Sequence, residues 1–331
     1  LSAMRYLVAL DEHQHFGRAA QACHITQPAL SNALRALEAE FGVVIVRRGR
    51  TYAGLTPEGE AVRASAHRML HEHERLQQLL QSEAGHPRGH LRMAAVPTAI
   101  PLLSRFAARL RARHPGIVPT VLSMSSAELE TGLDTLALDL ALGYIERKGR
   151  SVPRPRLHAW PQTVEHYFLL RRRATPPRAK QAAALHIGQP IGWAEAAQLP
   201  LCLLTPEMHN RTIVDQAFAA AGAKASPAIE TNSVLTLALS VQGGGICAVL
   251  PGAMVDTVRG HAGLEALPLV APEVRTPLGF MAPVAVQPSR ALEAGWPCCR
   301  KRPGWRKWRS TAGHCGAPCE ADDRSSVRLR R

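Results

Sequence analysis

The 331-residue chain contains no run of about eighteen uncharged apolar residues, so no membrane-spanning helix is expected, and no membrane partner either. No basic-then-apolar leader precedes the first amphipathic segment, so a cytoplasmic location is the expectation. Cysteine is scarce before the last 36 residues. Only Cys23, Cys202 and Cys247 occur there, each in apolar surroundings, and they read as buried thiols of a reducing compartment. Catalytic signatures are missing too: there is no nucleophile elbow, dinucleotide fingerprint or paired metal-ligand motif. GGGICAVLP (243–251) is Gly-rich but leads into a strand rather than a helix, so it is no phosphate loop. Catalysis is therefore not expected, and neither a cofactor nor a metal is. Even positive charge is short at the N-terminal end. The net charge is +14, yet the first 60 residues balance six arginines against six acids, and the last 36 residues carry half the excess. Nucleic-acid binding must rest on where single arginines stand.

What is there begins with FGRAAQACHITQPALSNALRALEAEF (16–41), which reads as two short helices joined by a tight turn. Phe16, Ala19, Ala20 and Cys23 recur at helical spacing, and their small size lets a second helix cross closely. Thr26 stands at an N-cap with Pro28 just inside the helix, where a missing N–H costs nothing. Leu30, Ala33, Leu34, Leu37 and Phe41 then form one apolar face, and Gly42 is a natural stop. The opposite face carries Gln27, Ser31, Asn32 and Arg35, groups that read base edges or grip phosphates from a major groove. An earlier apolar helix (Met4, Tyr6, Leu7, Leu10) completes a three-helix core. A basic ribbon with Arg47, Arg48 and Arg50 at a Gly-containing turn follows as a wing. Residues 1–57 thus read as a winged helix-turn-helix.

From Thr56-Pro57 a long helix (58–84) places Val62, Ala66, Met69, His73, Leu76 and Leu80 at alternating four- and three-residue steps, the seam of a coiled coil. Pairing would let two modules read a palindrome. Residues 85–90, with Gly, Pro and Gly, read as a hinge. From 91 to 295 strands alternate with helices, an α/β pattern. Strands are expected at 91–96, 118–123, 138–145, 199–204, 227–230 and 243–251, with helices between. The basic stretch 171–190 reads as a solvated loop.

The run HFGRAAQACHITQPALSNALRALEAEFG, followed by VRRGR (46–50) and LTPEG (55–59), resembles the LysR-type transcriptional regulators. The likeness spans roughly Leu1 to Trp296. It implies DNA-binding residues at Thr26, Gln27, Pro28, Ser31, Asn32, Arg35, Arg47, Arg48 and Arg50, acting on a palindromic promoter site in double-stranded DNA. It also implies a homodimer or homotetramer that works with RNA polymerase, and a two-lobe effector domain of the periplasmic-binding-protein type. The second lobe is expected over about 162–268, entered along strands near RPRLHAW and EHYFLLR. HFGRAA and ACH are similar to the peroxide-sensing branch. That branch carries a reactive cysteine just before the helix that begins here near Arg211, and TPEMHNRTIVDQAFAAAG (205–222) has none, so a thiol switch of that kind is not expected.

In a two-lobe α/β domain a ligand sits where strand ends face helix N-termini, which suit a small molecule and an anion in particular. The candidates are Pro97, Thr98, Ser123, Ser125 and Ser126 on the first lobe. On the second they are Thr205, His209, Asn210, Thr231 and Asn232. Each hydroxyl or amide is also an ordinary helix cap, and only their convergence argues for a site. Residues 296–331 leave the family pattern. Four cysteines and ten basic residues without apolar periodicity read as a disordered tail, and Cys298, Cys299, His314, Cys315 and Cys319 lack zinc-knuckle spacing.

Overall fold

The computed structural model describes residues 1–49, 52–81, 86–145, 157–174, 184–284 and 288–300, with Arg48 and 296–300 described as backbone only. Helices α1 (Ser2–His13), α2 (Phe16–Ala22) and α3 (Gln27–Phe41) open the chain, and each boundary has a local cause. His15 Nδ1 accepts from the N–H groups of Gly17 and Arg18 at 3.1 and 3.3 Å and starts α2. Thr26 Oγ1 accepts from the Ala29 N–H at 3.4 Å and starts α3. Gly42, at φ 67°, ends α3 in a left-handed conformation that favours glycine. Leu7, Leu10, Ala19, Ala20, Leu30, Leu34 and Leu37 meet in one core. The wing follows as an antiparallel ribbon, β1 (Val46–Arg48) with β2 (Tyr52–Leu55). Glu38 of α3 fixes its base by accepting from the N–H groups of Ile45 and Val46 at 3.0 and 3.1 Å.

Thr56 Oγ1 accepts from the Gly59 N–H at 2.9 Å and starts the long helix α4 (Pro57–Gln81). The expected seam on α4 divides in two. Ala66 is 0% exposed and Val62 packs beside it on the three-helix core, so these two serve their own chain rather than a dimer seam. The correction has a simple origin: steps of four and three mark any helix packed on one face, not only a coiled coil. Met69, Leu76 and Leu80 stay exposed, Leu80 at 76%, with His73 half-buried. The hinge expected at 85–90 is also shorter. Gly89 and His90 already pair with the neighbouring strand, opposite Ile117 and Val118.

The rest of the described chain forms two α/β lobes. The first begins with β3 (Gly89–Ala95), a 3₁₀ turn (Pro97–Ala99), α5 (Ile100–Arg113), β4 (Ile117–Ser123), α6 (Ser126–Asp134), β5 (Leu140–Tyr144) and β6 (Leu157–Glu165). The second holds β7 (Tyr167–Arg172), β8 (His186–Ile187), β9 (Ile191–Gly192), α7 (Trp193–Ala196), β10 (Leu201–Leu204), α8 (His209–Ala220), β11 (Pro227–Thr231), α9 (Val234–Ser240), β12 (Cys247–Pro251), α10 (Gly252–Val255) and β13 (Leu264–Val270). Strand β14 (Thr276–Pro283) and helix α11 (Arg290–Arg300) return to the first lobe. The first sheet runs β4-β3-β5-β14-β6 and the second β11-β10-β12-β7-β13-β8, with β9 also beside β13.

Several boundaries move. Residues 162–165 belong to the first sheet, because β6 pairs antiparallel with β14, so the lobes change at His166 and not near 162. Arg171–Arg172 and His186–Ile187 lie in strands rather than a loop, with 175–183 outside the described residues. Residues 296–300 continue α11, so the helix runs five residues into the expected tail. The second lobe closes around Trp193, whose ring meets Phe218 edge-on at 5.0 Å and whose Nε1 donates to Pro272 O at 2.9 Å.

Candidate DNA-binding and effector sites

On α3 the buried row Leu30, Leu34 and Leu37 faces the core, which leaves Thr26, Gln27, Pro28, Asn32 and Arg35 exposed and Ser31 half-buried on the outer side. Arg35 Nη1 donates to Asn32 Oδ1 at 3.2 Å, so the two side chains are ordered together one turn apart. Arg47 is exposed on β1, while Arg50 and the side chain of Arg48 lie outside the described residues. Exposed Arg18 on α2 stands on the same module.

Between the lobes is a narrow, partly open cleft of about 20 Å³, room for roughly one water molecule. It is lined by Val96, Pro97, Thr98, Ser125, Ser126, Tyr144, Leu204, Met208, His209 and Asn210. Six of the ten expected effector residues meet there: Pro97, Thr98, Ser125, Ser126, His209 and Asn210. Ser123, Thr205, Thr231 and Asn232 are not among the lining residues. Ser123 and Asn232 are exposed, and Thr231 Oγ1 is taken by the Ser233 N–H at 3.1 Å. Ser125 is partly occupied as well, since it forms a capping box with Glu128 at the start of α6.

Behind the cleft lies a polar chain that joins the lobes. Thr98 Oγ1 and the Tyr144 hydroxyl are 3.2 Å apart, and Asn210 Nδ2 donates to Tyr144 at 3.2 Å and to Tyr167 at 3.1 Å. Thr98 and Tyr144 come from the first lobe, Asn210 and Tyr167 from the second. Burial holds both tyrosine hydroxyls above their ordinary range, so they remain neutral donors. Glu165, at the crossing between the lobes, is 3% exposed with neither carboxyl oxygen paired. Burial pushes its acid up to about 8, which keeps it neutral at pH 7. Ser126 Oγ is also buried without a partner. Tyr144, Tyr167 and Glu165 escaped sequence reading. Tyr144 ends a strand whose end faces the cleft, a usable signal; Glu165 carries no local signal at all.

The thiols play no part here. Cys202 and Cys247 are buried in β10 and β12, and burial raises the Cys247 thiol, which disfavours its reactive form. Among the described residues no cluster of three His, Cys, Asp or Glu side chains could hold a metal. Cys298 and Cys299 are described as backbone only, and His314, Cys315 and Cys319 lie outside the described residues.

A winged three-helix module with an exposed polar recognition face, carried by a long helix on a two-lobe α/β body, defines a ligand-responsive DNA-binding regulator. The comparisons agree. The lysR family of bacterial regulatory helix-turn-helix proteins matches residues 1–60, and the LysR substrate binding domain matches 84–303. The chain is 28% identical to the probable HTH-type transcriptional regulator LrrA of Synechococcus elongatus, over 81% of this chain and 86% of LrrA. It is 26% identical to the DNA-binding transcriptional dual regulator OxyR of Escherichia coli, over 84% and 87%. Among solved structures, a full-length OxyR variant from Pseudomonas aeruginosa gives a TM-score of 0.65 at 25% identity, over 90% of this chain and 94% of that one. Full-length CbnR complexed with its target DNA gives 0.62 at 20% identity, over 91% and 99%, a likeness of fold. The chain belongs to the LysR family: it is a DNA-binding transcriptional regulator with a substrate-binding effector domain.

Proposed function

We propose that this regulator binds a palindromic promoter site in double-stranded DNA as a homodimer or homotetramer, in the cytoplasm, and acts there on RNA polymerase without catalysing a reaction itself. Gln27, Ser31, Asn32 and Arg35 read the major groove, with Thr26 and Pro28 at the helix start beside the phosphates. Arg47, Arg48 and Arg50 hold the flanking backbone. The observation that carries this reading is the Arg35–Asn32 pair, ordered and exposed on the outer face of α3. A small effector, an anion among the candidates, enters the cleft between Thr98, Ser126, His209 and Asn210. It must part the lobes, since the cleft holds only about 20 Å³, and that motion reaches the DNA. Footprinting of the purified protein on the region upstream of its own gene tests the reading. A protected two-fold site that Arg35→Ala loses is the expected result; no protection by a folded parent protein would overturn it.

A further inference from the structure

The polar face of α4 has a second occupation that the dimer reading does not use. Its middle and last turns lie against the effector half of the same chain. Gln78 is buried there, with Nε2 donating to His90 O at 3.0 Å and Oε1 accepting from the Ala291 N–H at 3.5 Å. Gly89, at φ 133°, is where β3 comes closest: a Cβ on it would stand 2.4 Å from Gln78 Cδ. His71 Nδ1 reaches Asp139 Oδ1 at 3.5 Å, and Asp139 in turn clamps β3 by accepting from the Arg92 N–H at 2.7 Å. From the other side, Arg92 Nη2 pairs with Glu12 of α1 at 2.8 Å. Asp11, the neighbouring residue, pairs with Arg63 of α4 at 2.5 Å. Helix α1, helix α4 and strand β3 are thus tied at one junction, and β3 is the strand whose far end leads to Pro97 and Thr98 in the cleft.

We infer that this junction sets the angle at which each chain presents its recognition helix, with the Arg92–Glu12 pair and the Gln78–Gly89 contact as its two fastenings. The argument rests on the operator-binding reading above and goes beyond it, because it names the path inside one chain from cleft to DNA module. A palindrome fixes the distance and angle between two recognition helices, so a loosened junction leaves each module to be ordered at the moment of binding. Both partners of the Arg92–Glu12 pair are partly exposed, which limits the effect of the pair alone.

The test is operator affinity of the full-length protein at one fixed salt concentration, for Arg92→Glu, Glu12→Arg and the two combined. Arg92 lies outside the DNA-binding module, but its reversal also lowers the net charge by two, so Arg111→Glu, an exposed arginine of α5 that takes no part in the junction, is the charge-matched control and is expected to bind like the parent. Arg92→Glu is expected to weaken binding by about threefold or more, with the combined swap returning it toward the parent value. Unchanged thermal unfolding of the variants shows that the fold is intact. Parent-like affinity in Arg92→Glu overturns the inference, as does a combined swap no better than Arg92→Glu. Absence of protection by the parent itself is a different result, because it overturns the operator reading.

Discussion

At the scale of single residues, the regulator depends on side chains whose roles separate by measurement. Arg35 faces away from the core with its guanidinium ordered by Asn32, the arrangement of a base-reading group. Arg35→Ala is expected to cost about 1–3 kcal/mol of operator affinity and to relax sequence preference at the contacted base pair. Arg47, exposed on the wing, is expected to behave as a phosphate contact. Arg47→Ala should weaken all sequences alike and reduce the slope of log affinity against log salt by about 1. Equal losses and equal salt slopes for the two variants would show that both merely grip the backbone. Glu165 makes a prediction of another kind. Its acid rises from 4.5 to about 8 because the folded protein buries it unpaired. The neutral form is therefore the one the fold accepts. Its stability contribution is fully present below about pH 4.5 and is lost as pH rises through about 8, by up to about 1.4 kcal/mol per pH unit. Glu165→Gln keeps the shape and removes the charge, so it should gain on the parent between pH 5 and 9. Urea unfolding across that range is the check, and a parent–variant difference that does not change with pH would refute the burial argument.

At the scale of elements, the wing and α4 meet with no room to spare. A Cβ on Gly59 would stand 2.2 Å from Ile45 O, a backbone atom that no side-chain rotation can clear. Gly59→Ala is expected to destabilise the N-terminal module by about 1–3 kcal/mol despite the higher helix propensity of alanine, as read by its thermal unfolding. Stabilisation would mean that the ribbon yields freely. How much of an element could be read beforehand follows the same division between local and distant causes. Helix α3 was legible because Thr26, Pro28 and Gly42 write its start and stop into the chain. The strand–helix–strand alternation through β3, β4 and β5 was visible in the chain, while their side-by-side order was not. What resisted reading depends on partners far away in sequence. Strand β6 alternates equally well for either sheet, and only pairing with β14 decides that 162–165 stay in the first lobe. Ala66 fits both a seam and a core. The cleft's Tyr144–Asn210–Tyr167 bridge joins residues 66 and 43 positions apart, so nothing local announces it. Thr231 and Ser123 misled because hydroxyls at strand ends look alike whether they cap a turn or face a ligand.

At the scale of the whole molecule, one surface has no purpose within a single chain. Met69, Leu76 and Leu80 are spaced by seven and four along α4, share one stripe, and are all exposed, with Leu79 beside them. Polar groups on the rest of the helix, such as Gln78 and His71, are engaged with the effector half instead. An apolar stripe next to a spent polar face gains from being covered by a like stripe, at roughly 1.5–3 kcal/mol for each leucine fully buried. In the homodimer proposed above, a second copy of α4 would supply that cover by two-fold symmetry, in which the same patch serves both partners. The double change Leu76→Glu and Leu80→Glu places like charges across such a contact. It is expected to yield a monomer whose helix content is unchanged, since glutamate is a good helix former on an exposed face. Joining two modules makes the second contact intramolecular, so losing the pair should cut affinity for the two-fold site by about 100-fold or more. Affinity for a single half-site should hardly move. Sedimentation equilibrium gives the mass and footprinting gives the affinity. A variant that keeps the parent's mass would place the dimer contact elsewhere, and α4 would then be a strut between the two halves of one chain.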